Sequence, residues 1–207
     1  MEPIELIAGL GNPGEKYAKT RHNAGFWFLD RIAAQNGATF RPVSRLLGEA
    51  CDAMVAGRRV RLLKPATFMN RSGQSIAATL SYFKIPAERL LVVHDEIDLP
   101  SGTIRLKHAG GHGGHNGVRD IIAHLGAQAF ARLRIGVGHP GQREEVIGHV
   151  LHRAGNAEQV EVDAAIELGL RELPGIVRGD LRAAMNVLNQ RKRASQETPA
   201  DSGGQSL

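Results

Sequence analysis

The sequence predicts an α/β fold: a single domain with a twisted, mostly parallel mixed central sheet flanked by helices. Three observations lead there. Short apolar runs of strand length alternate with longer segments whose apolar residues recur at helical spacing. Turn signals built on glycine and Pro-Gly separate them. The chain has 207 residues, 42% of them hydrophobic, enough for one sizeable core.

"ELIAGLG" near the N-terminus reads as a buried strand ending in a glycine loop. A helix follows across "HNAGFWFLDRIAAQNG", where Phe26, Leu29, Ile32 and Ala33 share one face and Gly37 serves as the C-terminal cap. "EACDAMVAG" and "RRVRLLK" flank Gly57 as the two arms of a hairpin. The next helix follows Asn70 across "SGQSIAATLSYFK", and "RLLVVHDE" and "TIRLKH" read as strands. "NGVRDIIAHLG" has the pattern of a helix and "RLRIGVG" that of a strand. "AEQVEVDAAIELGLREL" predicts a long amphipathic helix, and residues 179–192 a final one. Residues 1–190 then form the domain, and 191–207, basic and then polar, a disordered tail.

Lys+Arg 26 against Asp+Glu 21 gives a net charge of +5, consistent with an anionic partner, nucleic acid foremost. The acidic "MEPIEL" start lacks the charged and apolar regions of a signal peptide. No apolar run approaches the roughly 20 residues of a membrane span. The lone Cys51 forms no internal disulfide and reads as core rather than nucleophile. The expectation is a cytoplasmic protein.

"GLGNPG" at residues 9–14 matches G-x-G-x-x-G behind a strand. A dinucleotide loop needs a helix beginning inside the motif and an acidic residue at the end of a second strand. Here "NPGEKYAKT" intervenes, and Asp30, the nearest acid, lies in a helical pattern. The informative residue is instead Asn12. Asn12, Asn70 and Asp95 each follow a strand, and parallel strands would aim all three at one crevice. Singly, each reads as a turn or capping group. His22 opens the first helix at the same rim, and Asp95 is the carboxylate that could orient its ring.

"HAGGHGGHNG" (108–117) offers His108, His112, His115 and Asn116. With Asp95 and Glu96 these could ligate a metal, although glycines at 110, 111, 113 and 114 argue against the helix that would align them. The loop could instead approach a ligand through its amides. Lys107, Arg119, Arg132 and Arg134 flank it as a phosphate-binding rim.

"GLGNPGEKYAKTRHNAGF", "LLKPATFMNRSGQSI", "HDEIDLPSGTIRLKHAGGHGGHNGVRDI" and "RLRIGVGHPG", in this order, closely resemble the bacterial-type peptidyl-tRNA hydrolases over most of residues 6–150. The resemblance implies a monomeric α/β enzyme without metal or organic cofactor. Such an enzyme hydrolyses the ester between a peptide and the 3′-terminal ribose of tRNA. It implies His22 as general base, oriented by Asp95, and Asn12, Asn70 and Asn116 as substrate-positioning amides. Tyr17, Phe68 and Met69 fall on cleft positions and His115 on an auxiliary one. Lys107 and Arg134 fall on the pair that clamps the tRNA 5′-phosphate, and Arg143 on a further basic position. The other readings are an RNA-binding module without turnover, a metal-dependent phosphoesterase and a nicotinamide oxidoreductase.

Overall fold

The computed structural model describes residues 2–190; the expected tail at 191–207 lies outside them. Its seven strands are β1 (Leu6–Gly9), β2 (Arg41–Val43), β3 (Gly48–Val55), β4 (Arg58–Pro65), β5 (Leu90–Glu96), β6 (Ile104–His108) and β7 (Ala131–Gly136). They form one sheet in the order β2-β3-β4-β1-β5-β7-β6. The four central strands β4, β1, β5 and β7 run parallel. The antiparallel pairs lie towards the edges, β2 and β3 at one and β6 at the other. β1 and β5 are buried along their whole length, as strands covered on both faces must be.

Two apolar layers cover the sheet. On one face α1 (Ala24–Gln35), α5 (Asn156–Arg178) and α6 (Leu181–Gln190) pack on Ile7, Leu62, Leu91, Val93, Leu133 and Ile135. On the other, α2 (Ser72–Phe83) and α3 (Asn116–Leu125) pack on Leu6, Ala8, Leu63, Leu90 and Val92. The alternation within each strand sends neighbouring residues to opposite layers.

The elements depart from the sequence expectation at a few places. The first helix begins at Ala24, because Arg21–Asn23 form a 3-10 turn. Phe28 rather than Phe26 enters the core; Phe26 is half-buried, its ring lying over the backbone of Gly11. β2 is a three-residue edge strand containing Pro42, too short to register as a pattern. α4 (Val146–Val150), a five-residue helix, was equally unmarked. α5 runs on through Pro174 to the left-handed Gly179, and the last helix starts at Leu181.

The feature that positions the site is a contact of bare backbone. A Cβ on Gly25 would lie 2.4 Å from both the Leu10 nitrogen and the Val93 oxygen, and one on Gly9 2.4 Å from the Gly25 oxygen. Only glycines allow α1 to rest its first turn directly on β1 and β5. His22, two residues before α1, is thereby set against the end of β5.

Candidate active site

Beyond β1 the chain turns through Asn12, which is buried at 6% exposure. Its backbone N–H donates to Asn23 Oδ1 (2.9 Å), and Asn23 Nδ2 donates back to the Asn12 carbonyl (3.0 Å). The Asn12 side chain reaches across to β4's loop, where its Oδ1 accepts the Met69 N–H at 2.8 Å. That bond fixes the amide's orientation, because a backbone N–H can only meet the oxygen. Nδ2 of Asn12 makes no hydrogen bond among the described residues and can donate. No helix begins inside the glycine motif: Glu15–Tyr17 is a 3-10 turn and α1 starts only at Ala24. The pyrophosphate cradle of a dinucleotide site is therefore missing, and Asp30 lies within α1.

At the end of β5, His22 Nδ1 lies 2.9 Å from both carboxylate oxygens of Asp95, and His115 Nε2 lies 3.0 Å from Oδ1. His115 is the N-cap of α3: its Nδ1 accepts the Val118 N–H at 3.3 Å. Its proton is then on Nε2, so the ring donates to Asp95 and caps a helix at once. His22 likewise donates through Nδ1. Its Nε2 has no hydrogen bond among the described residues and is not sealed from solvent.

Burial pulls the His22 pKa down, but the charge of Asp95 and the bond to it outweigh this, and the net shift is upward from 6.5. Burial raises the Asp95 pKa, yet His22 and His115 together hold it far below the usual carboxylate range. The next residue back, His94, is fully enclosed and held well below 6.5, first by burial and then by His115. Its Nδ1 donates to the Asp95 carbonyl (2.6 Å), and its ring stands edge-on to His115 at 4.6 Å. It is a neutral wedge behind Asp95 and His115.

A family model described as peptidyl-tRNA hydrolase matches residues 6–196. The chain belongs to the peptidyl-tRNA hydrolase family. It is 49% identical to a peptidyl-tRNA hydrolase of Acinetobacter baumannii over 194 residues, 94% of this chain and 100% of that one. It is 51% identical to one of Pseudomonas savastanoi over 193 residues, 93% of this chain and 100% of that one. The crystal structure of the Acinetobacter enzyme superposes with a TM-score of 0.89 at 48% identity, covering 92% of this chain and 96% of that one.

Within this peptidyl-tRNA hydrolase family member, the remaining residues fall into three groups. Met69 is buried beside the cluster; a Cβ on Gly117 would lie 2.6 Å from its Sδ and 3.2 Å from His115 Cε1. Tyr17 and Phe68 meet edge-to-face at 6.4 Å, Phe68 exposed and Tyr17 half-buried. Asn70 and Asn116 follow Met69 and His115 in sequence but are exposed, and among the described residues their side chains make no hydrogen bonds. Of the three residues expected to share a crevice, Asn12 and Asp95 are buried and Asn70 is exposed.

The basic residues divide more sharply. Lys107 pairs across the β6–β7 ribbon with Arg132, and Arg105 with Arg134, so all four leave from one face of the sheet. Lys107 is exposed, and Arg134 is anchored by its Nε to Glu96 (2.9 Å), its terminal nitrogens free of that bond. As diagonal neighbours the two sit roughly 7–8 Å apart at Cα, a span that can bracket a phosphate. Arg119 is exposed on α3. Arg143 stands on the exposed turn Arg143–Glu145 ahead of α4, outside the hydrogen-bonded cluster. Arg132 departs from the expected rim: it is 3% exposed and turned inward to loop carbonyls.

Sequence reading missed two supports. Asn23, the holder of Asn12, was signalled only by its place after His22. Arg21 forks onto Glu158 at 2.6 and 2.7 Å and donates to the His149 carbonyl, tying the His22 turn to α5 and α4. Its partner is 137 residues away, so no local pattern could reveal it.

Among the described residues, the alternative metal cluster of the glycine loop does not assemble. His112 Nδ1 accepts the Gly114 N–H instead. The group with ligand geometry is His22, Asp95 and His115, whose donor atoms lie within 4.8 Å of one another. There the two N–H groups already point at the carboxylate, and a cation would have to displace both protons. Cys51 is half-buried in β3, its thiol pKa raised by burial and then by Asp52, which makes it a poor nucleophile. Among the described residues, no helix is long and apolar enough to cross a membrane.

Proposed function

We propose that this chain hydrolyses the ester joining a peptide to the 3′-terminal ribose of tRNA, with His22 as general base. The observation that carries the proposal is the 2.9 Å bond from His22 Nδ1 to buried Asp95, which leaves the ring's other nitrogen, Nε2, basic and open to solvent. Water gives a proton to Nε2 and adds to the ester carbonyl carbon. The carbonyl electrons move to oxygen, where an amide N–H steadies the charge. Asn12 is the donor we assign, because the Met69 bond pins its Oδ1 and leaves Nδ2 preorganised. The intermediate collapses by breaking the bond to the ribose oxygen, which takes the proton back from His22. Free tRNA and a peptide acid leave.

Asn70 and Asn116, Tyr17 and Phe68, and Met69 and His115 would hold the peptide end. Lys107 and Arg134, with Arg143 further out, would hold the tRNA phosphates. No cofactor enters this sequence of steps.

The test is release of N-acetyl-aminoacyl acid from its tRNA ester, with and without exhaustive chelation. Activity is expected in both conditions, falling by roughly 10²–10⁴-fold in His22→Ala while tRNA still binds. Loss on chelation that added ion restores would favour the second reading, a cation held by His22, Asp95 and His115. Tight tRNA binding with no hydrolysis at all would leave a binding module.

A further inference from the structure

We infer that Arg132 is a positioning residue for catalysis: it holds the glycine loop so that His115 meets Asp95. The inference rests on the reaction proposed above and adds to it a residue that touches neither substrate nor the reacting atoms.

The loop after β6 is conformationally costly. Ala109, Gly110, Gly113 and Gly114 all have positive φ, and Ala109 is not a glycine. Such a segment adopts one shape only if something outside it dictates that shape. Its far end carries His115, whose ring must be placed to donate to Asp95 and to cap α3 together. Its near end is tied by the Ala109 N–H to the Phe130 carbonyl at 3.2 Å. Between these, Arg132 Nη1 donates to the Gly111 carbonyl at 2.7 Å, and Nη2 donates to the Gly110 carbonyl. A planar guanidinium is the one side chain that can grip two successive carbonyls as a fixed fork.

Arg132 is held at a cost. It is 3% exposed, its Nε is buried without a hydrogen bond among the described residues, and burial and then Arg134 lower its pKa. An apolar side chain of similar length would serve packing better. A cation kept here against that cost, with its two terminal nitrogens on the loop that delivers His115, is explained by placement of the loop. It also separates Arg132 from Lys107 and Arg134 on the same sheet face: those reach outward, and Arg132 is spent on the protein's own backbone.

The experiment compares Arg132→Met, Arg132→Lys, His115→Phe and the double variant Arg132→Met/His115→Phe in the full chain. Arg132→Met is expected to lower kcat roughly 10–100-fold, the scale of a small misplacement of catalytic groups, with KM little changed. Arg132→Lys, keeping the charge and one donor, should lie between. The double variant should be no worse than the more damaged single one, since both remove the same contact. The salt dependence of tRNA binding should stay that of the parent, because no phosphate contact is lost.

A second readout does not depend on turnover. The Nε2 proton of His115, hydrogen-bonded to Asp95, should give a downfield NMR signal that disappears in Arg132→Met and persists in Arg132→Lys. Persistence in Arg132→Met, additive losses in the double variant, or a weakened salt slope with kcat intact would each overturn the inference. Full activity in His22→Ala would overturn the reaction scheme, while the NMR signal would still decide whether Arg132 places the loop.

Discussion

At the scale of single residues, the charge on Asp95 has two effects on His22 that a substitution can separate. It orients the ring through Nδ1, and it raises the pKa of the ring against a burial penalty that acts the other way. A general base must be neutral, so the acid limb of kcat/KM is expected to have its midpoint above 6.5, the ordinary histidine value. In Asp95→Asn the attraction is gone and the burial remains, so the limb should move to lower pH. The plateau should fall roughly 10²–10⁴-fold because the ring loses its orienting acceptor. A pH-rate series on both proteins checks this; a limb that stays in place would detach Asp95 from His22. Folding stability follows the same pair with opposite signs. The raised His22 contributes below 6.5 and loses its contribution as pH rises through its folded value. The lowered Asp95 contributes above 3.8 and loses it as pH falls toward its folded value.

Elements bring these residues together by close approach. α1 touches β1 and β5 through Gly25, where an added methyl would overlap the Leu10 nitrogen and the Val93 oxygen at 2.4 Å. Both are backbone atoms already bonded to one another at 2.9 Å, so neither can step aside. Gly25→Ala should therefore destabilise the protein by about 1–3 kcal/mol or more, lowering the urea midpoint at unchanged slope. It should also reduce kcat, because lifting α1 carries His22 away from Asp95. In "HNAGF" the sequence marks the histidine and the helical face, whereas the glycine sets the distance between α1, which follows His22, and β5, which carries Asp95. Elements little longer than one period, β2 and α4, left no trace in the sequence, since three to five residues cannot establish a repeat.

Over the whole molecule, the β6–β7 ribbon gathers four of the 26 Lys and Arg residues on one face. Alternation in two antiparallel strands puts Arg105, Lys107, Arg132 and Arg134 on one face, and their surroundings then assign them different work. Lys107→Ala and Arg134→Ala should each weaken tRNA binding and reduce the slope of log K against log salt by about 1. A slope unchanged in both variants would remove them from phosphate binding. Glu96 accepts from Arg134 and is itself 6% exposed, so the guanidinium is oriented before any phosphate arrives. The His22–Asp95–His115 cluster and this basic face adjoin because His94, Asp95 and Glu96 are consecutive on β5, which pairs with β7.

The sequence by itself determined the α/β class, the hairpin and most of the succession of strands and helices, and it singled out His22, Asp95 and Asn12 as candidates. Periodicity and turn chemistry are local, and the motifs "GLGNPG", "TRHNAGF" and "HDE" carry their information within a few residues. Tertiary structure alone decided which partners those residues have. That His115 caps a helix while donating to Asp95, that Asn23 holds Asn12, that Arg21 reaches Glu158 and that Arg132 turns inward are all contacts between distant segments. An arginine in a strand has the same local pattern whether it meets a phosphate or two buried carbonyls. Only the packing around it fixes which of the two hydrogen-bonds to it.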